Sequence, residues 1–198
     1  MKHKTDAAPW RGGWLRWARA CPSPNCEARP ASACTDLIVV HSISLPPGRY
    51  GNGAVADLFL NRLDWDAHPY YAGIRGLRVS SHFFVARTGA AWQFVDIHQR
   101  AWHAGVSRYR GRARCNDDSV GIELEGLEGE PFEAAQYATL ERLCDALRRA
   151  LPIRYVAGHE HIAPHRKADP GAAFDWQRLS DHLAGSGLML PPVAQHAD

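Results

Sequence analysis

The hydrophobic positions along the chain change period several times, and each change marks an element. Residues 37–40, Leu-Ile-Val-Val, form a short apolar, β-branched run that predicts a buried strand ending at His41. Residues 45–53 then bring two prolines and three glycines, which predict a loop. Residues 82–87 and 91–96 read as two strands joined through Thr88-Gly89-Ala90 as a hairpin. Residues 100–118 carry five arginines with little apolar periodicity and predict a long basic loop. Residues 119–125, Ser-Val-Gly-Ile-Glu-Leu-Glu, alternate by twos, the pattern of a half-buried strand. Over 133–150, Tyr137, Leu140, Cys144 and Leu147 keep the three-four spacing of one apolar helix face, which Leu151 extends. A strand is expected over 153–158, a loop over 159–173 and a short helix around 175–184. Near the start, Trp10, Trp14 and Trp17 stand at helical spacing and predict a short helix whose rings anchor it to the body. Strands interleaved with helices make this a single α/β domain around one sheet. The expected organisation is a wrapping segment over 1–35, the main domain over 36–184 and a flexible tail over 185–198.

Composition narrows the function classes. With 198 residues, 45% hydrophobic and 22% charged, the chain has the makeup of one globular domain rather than a disordered one. Lys plus Arg number 23 and Asp plus Glu 21, a net +2, which argues against nucleic acid or a charged membrane surface as partner. No apolar run approaches the roughly 18 residues of a membrane span. The first residues, Met-Lys-His-Lys-Thr-Asp, lack a signal peptide's apolar stretch, so a cytoplasmic location is expected. Five cysteines without a Cys-x-x-Cys unit read as reduced thiols. Eleven histidines invite a search for metal chemistry.

That search leads to strand ends. His41 closes the first strand, Glu123 and Glu125 stand on the alternating one, and 158–170 reads Gly-His-Glu-His-Ile-Ala-Pro-His-Arg-Lys-Ala-Asp-Pro. A catalytic zinc takes three protein ligands, typically His and carboxylate, and keeps a fourth position open. His41, His159 and Asp169 can meet if their strands are neighbours. By spacing alone, His159, Glu160, His161 and His165 all compete for that role.

Four stretches carry a resemblance that covers about 14–183. They are Val40-His41-Ser42-Ile43-Ser44-Leu45-Pro46-Pro47-Gly48, Arg100-Ala101-Trp102-His103-Ala104-Gly105-Val106-Ser107, the span from Arg114-Cys115-Asn116-Asp117 to Gly121-Ile122-Glu123-Leu124-Glu125-Gly126, and Ala163-Pro164-His165-Arg166-Lys167-Ala168-Asp169-Pro170-Gly171. In these the chain resembles the zinc N-acetylmuramoyl-L-alanine amidases of the AmpD type, within the superfamily that includes phage T7 lysozyme and peptidoglycan recognition proteins. The resemblance implies a central mixed β-sheet flanked by helices. It also implies one zinc ion held by His41, His159 and Asp169, with Glu123 as general base and Lys167 as transition-state stabiliser. His161 falls where the family accepts non-ligands. Ser42, Arg78, Trp102, His103, Arg114 and Arg166 match positions that contact substrate, Ser42 standing where the family more often has Asn.

The implied activity is hydrolysis of the amide between 1,6-anhydro-N-acetylmuramic acid and L-alanine in small anhydromuropeptides. Such an enzyme recycles cell-wall fragments and thereby influences β-lactamase induction. No obligate protein partner is expected. A non-catalytic peptidoglycan-binding module would have lost a zinc ligand, and a secreted or phage amidase would need export. Arg108, Arg110 and Arg112 read as a solvated loop face, His68 as structural, and His82 and His98 as lacking a ligand pattern.

Overall fold

Two seven-residue strands lie side by side and parallel at the centre of the molecule, Leu37–Ile43 and Ser119–Glu125. The computed structural model describes residues 9–191. The main sheet contains β1 (Arg19–Ala20), β2 (Leu37–Ile43), β3 (Phe83–Val85), β4 (Ala91–Gln93), β5 (Ser119–Glu125) and β6 (Tyr155–Gly158). Across it the order is β6-β2-β5-β3-β4-β1. Every neighbouring pair is parallel except β3–β4, so the sheet is mixed. Around it lie α1 (Ala54–Phe59), α2 (Pro69–Gly73), α3 (Ala134–Ala150), α4 (His159–Ile162) and α5 (Trp176–His182). The α/β class, the single domain and the flanked mixed sheet are as the sequence reading has them.

Side-chain alternation divides the sheet into an apolar face and a working face. Ile38, Val40, Phe83, Val85, Val120, Ile122, Leu124 and Val156 form one cluster with Tyr137, Leu140, Cys144 and Leu147 of α3 and Leu179 of α5. On the other face Leu37 and Val39 pack with Tyr155, Ala157 and Ile162, while Phe84 packs with Val55, Leu58 and Phe59 of α1. Burying a side chain of this size contributes about 1.5–3 kcal/mol, so the α3 contact is the main hydrophobic anchor of the sheet. The α3 start is fixed by Gln136, whose side chain accepts the Glu133 N–H at 3.0 Å and donates to the carbonyls of Val85 and Glu125.

The alternation over 119–125 is real, but it does not mean half-burial: every residue of β5 is buried. Its polar set, Ser119, Gly121, Glu123 and Glu125, faces the working side and is covered by loops instead of water. Likewise β2 does not end at His41 but continues to Ile43, which sets His41 within a hydrogen-bonded ladder.

Other expectations are corrected. The tryptophan segment is a hairpin, Trp10–Arg11 against Trp14–Leu15, and not a helix. Gly12 turns the chain at φ +60°, and a Cβ on Gly13 would run into the Asp96 carboxylate at 1.7 Å. Turn chemistry therefore overrides the helical spacing. Trp10 and Trp17 do anchor onto the body, with Trp10 edge-on to Phe83 and Trp17 under the Arg142 guanidinium. The 100–118 segment is less irregular than expected. It begins inside the strand Gln99–Ala101, which pairs with Cys26–Ala28, and holds the hairpin Arg108–Tyr109/Arg112–Ala113 and a 3-10 turn at Cys115–Asp117. The 159–173 segment likewise opens with α4. Part of the expected tail is built into the sheet edge, where Met189 bridges Tyr155; residues 192–198 lie outside the described residues. Among the described residues no helix is long and apolar enough to cross a membrane.

Candidate active site

The parallel register of β2 and β5 sets Glu123 directly opposite His41, and β6 on the other side of β2 delivers the chain into His159. Gly158, the last residue of β6, has no room for a side chain, since a Cβ there would lie 2.7 Å from Pro170 Cδ. That close approach brings the loop carrying Asp169 back over the strand end. A bond from the Glu160 N–H to the Asp169 carbonyl at 2.9 Å holds it there.

His41, His159 and Asp169 are all buried, and their ligand atoms lie within 4.8 Å of one another. His41 Nδ1 is 3.0 Å from His159 Nδ1 and 3.0 Å from Asp169 Oδ2, and His159 Nδ1 is 3.1 Å from the same oxygen. The Ala104 carbonyl, 3.1 Å from His159 Nε2, can only accept, so the proton of neutral His159 sits on Nε2 and its Nδ1 is bare. Two imidazole nitrogens and a carboxylate oxygen converging in this way have the chemistry of a metal-ligand set. Their spacings resemble the roughly 3.3 Å edge of a tetrahedron with bonds of about 2.0–2.1 Å. These three residues can hold a metal ion. The sequence's competitors fall away: His161 Nδ1 instead accepts the Gly158 N–H at 3.0 Å with its ring against Trp176, and His165 is exposed.

Burial pushes His41 down to about 4, against the pull of Asp169. Burial works to raise the Asp169 carboxyl, but the His159 and His41 imidazoles set against its Oδ2 reverse this and hold it well below the usual carboxylate range. Glu123 behaves oppositely. Burial, reinforced by the Asp169 charge and opposed by Lys167, raises it well above the usual range. Its Oε2 is buried and has no hydrogen-bond partner. An unsatisfied buried carboxylate oxygen costs about 1–3 kcal/mol, which marks a group kept for chemistry.

These groups line a cavity of about 280 Å³ together with Ser42, Trp102, His103 and Lys167. His103 also lies under His41, its Nδ1 at 2.9 Å from His41 Nε2. The three arginines are placed elsewhere. Arg78 is exposed between the lining residues Leu77 and Val79. Arg114 is exposed and paired with Asp117 at 3.2 Å. Arg166 donates to the carbonyls of Ala104 at 2.9 Å and Val106 at 2.7 Å, tying the two site loops together.

The sequence reading missed the apolar wall made by Leu58 and Phe59 of α1 and Tyr70, Ile74 and Leu77 in and after α2. Signals for both helices existed. Val55, Leu58 and Phe59 keep helical spacing, and His68-Pro69 is a helix start, where His68 Nδ1 accepts the Tyr70 N–H. That capping bond bears out the structural role expected of His68.

Comparison with known proteins gives the family. Residues 29–172 match the family model described as N-acetylmuramoyl-L-alanine amidase. The 1,6-anhydro-N-acetylmuramyl-L-alanine amidase AmpD of Citrobacter freundii is 49% identical over 169 residues, covering 84% of this chain and 90% of that protein. A crystal structure of a selenomethionine AmpD derivative superposes with TM-score 0.84 at 47% identity, covering 87% of this chain and 97% of that one. AmiD from Escherichia coli, solved with anhydro-N-acetylmuramic acid-L-Ala-D-gamma-Glu-L-Lys, gives TM-score 0.58 at 30% identity over 84% of this chain and 63% of its own. With matches of this extent, the chain belongs to the N-acetylmuramoyl-L-alanine amidase family.

Proposed function

We propose that this protein is a one-zinc amidase that hydrolyses the bond between 1,6-anhydro-N-acetylmuramic acid and L-alanine in small anhydromuropeptides. The observation that carries the proposal is the convergence of His41, His159 and Asp169 beside the buried, unpartnered Glu123 carboxylate in one cavity. Similarity to AmpD proteins along most of their length supports the substrate class. On this reading the enzyme works in the cytoplasm on recycled cell-wall fragments and so affects β-lactamase induction.

When bound to His41, His159 and Asp169, zinc supplies Lewis acidity toward water and toward the amide carbonyl. The remaining chemistry belongs to the chain. Glu123, buried beside the ligand set, takes a proton from the attacking water at its free Oε2 and passes it to the leaving nitrogen. Lys167, on the cavity wall two residues before Asp169, stabilises the negative oxygen that develops. Trp102 and the wall from α1 and α2 hold the sugar, with Ser42 and His103 beside it. Arg78, Arg114 and Arg166 lie outside the cavity lining and are assigned to the peptide's carboxylates by the resemblance alone.

Mass spectrometry of an anhydromuropeptide incubated with the protein tests the reading. Release of free anhydro sugar and intact peptide, stopped by a chelator and restored by zinc, is expected. A different cleavage point, or release unaffected by metal removal, would overturn it.

A further inference from the structure

Both histidines of the metal-ligand set turn their outer nitrogen to the same dipeptide, His103-Ala104. His159 Nε2 donates to the Ala104 carbonyl at 3.1 Å, and His41 Nε2 lies 2.9 Å from His103 Nδ1. Asn116 fixes this dipeptide with one atom: its Oδ1 accepts the N–H of His103 at 3.1 Å and of Ala104 at 2.8 Å.

The proton positions along the His41 side follow from the far end. Ser119 Oγ is 2.5 Å from the Cys115 carbonyl, which can only accept, so the hydroxyl donates there. Ser119 Oγ is then left as an acceptor for His103 Nε2 at 3.2 Å, which places the His103 proton on Nε2. His103 Nδ1 is therefore bare and accepts from His41 Nε2–H. The chain of three bonds leaves the lone pair of His41 on Nδ1, the atom 3.0 Å from Asp169 Oδ2. The His103 ring is seated by a missing side chain, since a Cβ on Gly121 would lie 2.5 Å from its Cγ. Its place in the cavity lining is thus a consequence of reaching His41.

We propose that His103 is a positioning residue for the metal centre, acting through a His41–His103–Ser119–Cys115 chain that fixes the tautomer and ring angle of His41. The proposal rests on the metal-site reading above. Outer partners of metal-bound histidines typically alter metal affinity about 10–100-fold when removed.

The test measures zinc dissociation constants by competition with a chromophoric chelator, alongside the melting temperature of metal-free protein. For His103→Ala, zinc affinity should fall about tenfold or more, with metal-free melting little changed. His103→Asn, whose Oδ1 can stand near the Nδ1 position, should recover much of the loss. Gly121→Ala, which displaces the ring without removing a polar group, should weaken zinc as well, and Ser119→Ala should do so to a smaller degree. Should His103→Ala fail to fold, the Gly121→Ala and Ser119→Ala values decide. Zinc affinity within twofold of the unmodified protein in whichever of His103→Ala, Gly121→Ala and Ser119→Ala fold, with only KM raised, would return His103 to the substrate wall and overturn the proposal. An unmodified protein that binds no zinc would sink the metal-site reading itself, an outcome separate from the loss of this chain.

Discussion

Glu123 and His41 are register partners on adjacent parallel strands, so a proposed metal ligand and a carboxylate with an unpartnered oxygen share one face of the sheet. Backbone hydrogen bonding holds their spacing, and no loop has to order for them to meet. Glu123→Gln keeps the shape and removes the basic oxygen. Zinc content should stay at one equivalent while kcat falls by roughly 100-fold or more, the scale of general base catalysis. Retained turnover would assign the proton transfer to another group.

The ligand set makes a contrast between neighbours. His41→Ala, His159→Ala and Asp169→Ala should each lose zinc and activity together, because two ligands do not make a stable structural site. His161→Ala should keep zinc, although its loss of the bond to the Gly158 N–H and of the Trp176 contact should lower the melting temperature. Metal analysis of the four purified variants distinguishes them. Full metal content in the Asp169 variant would exclude that residue as a ligand.

Lys167 opposes the rise of the Glu123 pKa, which burial and Asp169 drive. The base works ionised, so activity should fall as pH drops through that raised pKa. Removing the lysine should move this acid limb to higher pH. In Lys167→Ala, the pH profile of kcat should shift upward and kcat should fall, with zinc retained. An unshifted limb would separate Lys167 from Glu123.

The parts of the site that were legible in the sequence are those carried by local pattern. The apolar run at 37–40 announces β2, the alternation at 119–125 announces β5, and the motif at 158–170 contains two of the three residues that the fold brings together. Illegible were features set by contacts distant in sequence. Asn116 stands in a stretch that carries the resemblance, but nothing local shows that it accepts two N–H groups from 103–104. Gly121 stands in the alternating strand, and nothing local shows that His103 fills the space above it. Arg29 carries no local signal, yet it is half-buried, donates to the carbonyls of Asn116, Asp117 and Ser119 and stitches the N-terminal segment down. Helical spacing of the tryptophans misled because Gly12-Gly13 costs a helix more than three aromatic rings offer it.

His82 predicts an acid weakness of the fold. Its Nδ1 accepts the Gly121 N–H and its Nε2 donates to the Gln99 carbonyl, each at 3.0 Å, so the ring is held neutral. Burial, aided by the Arg29 charge, depresses it to about 3. The unfolded chain takes up this proton near 6.5, whereas the native state refuses it until about 3. Stability from this group is complete above pH 6.5 and lost on acidification at about 1.4 kcal/mol per pH unit. Denaturant unfolding at pH 7 and pH 5 should show the unmodified protein losing about 2 kcal/mol more than His82→Gln over that interval. Equal losses would mean the ring titrates normally when folded.

On the proposed function, Trp102 is the residue placed to set the choice of sugar. It is half-buried on the cavity wall, with its indole N–H donated to Glu27 at 3.2 Å, so the ring plane is fixed before a ligand arrives. A prepositioned aromatic surface favours a rigid bicyclic sugar over a flexible, hydrated reducing sugar, because the rigid form loses less freedom on binding. The cavity of about 280 Å³ also suits one sugar better than a polymer strand. The unmodified enzyme should therefore prefer anhydromuropeptides over reducing muropeptides and over intact wall. Trp102→Ala should shrink that preference while leaving zinc bound, since the ring acts on the sugar and not on the amide. Comparing kcat/KM for anhydro and reducing substrates in both proteins decides the matter. Equal values in the unmodified enzyme would remove the recycling role and leave the zinc amidase chemistry in place.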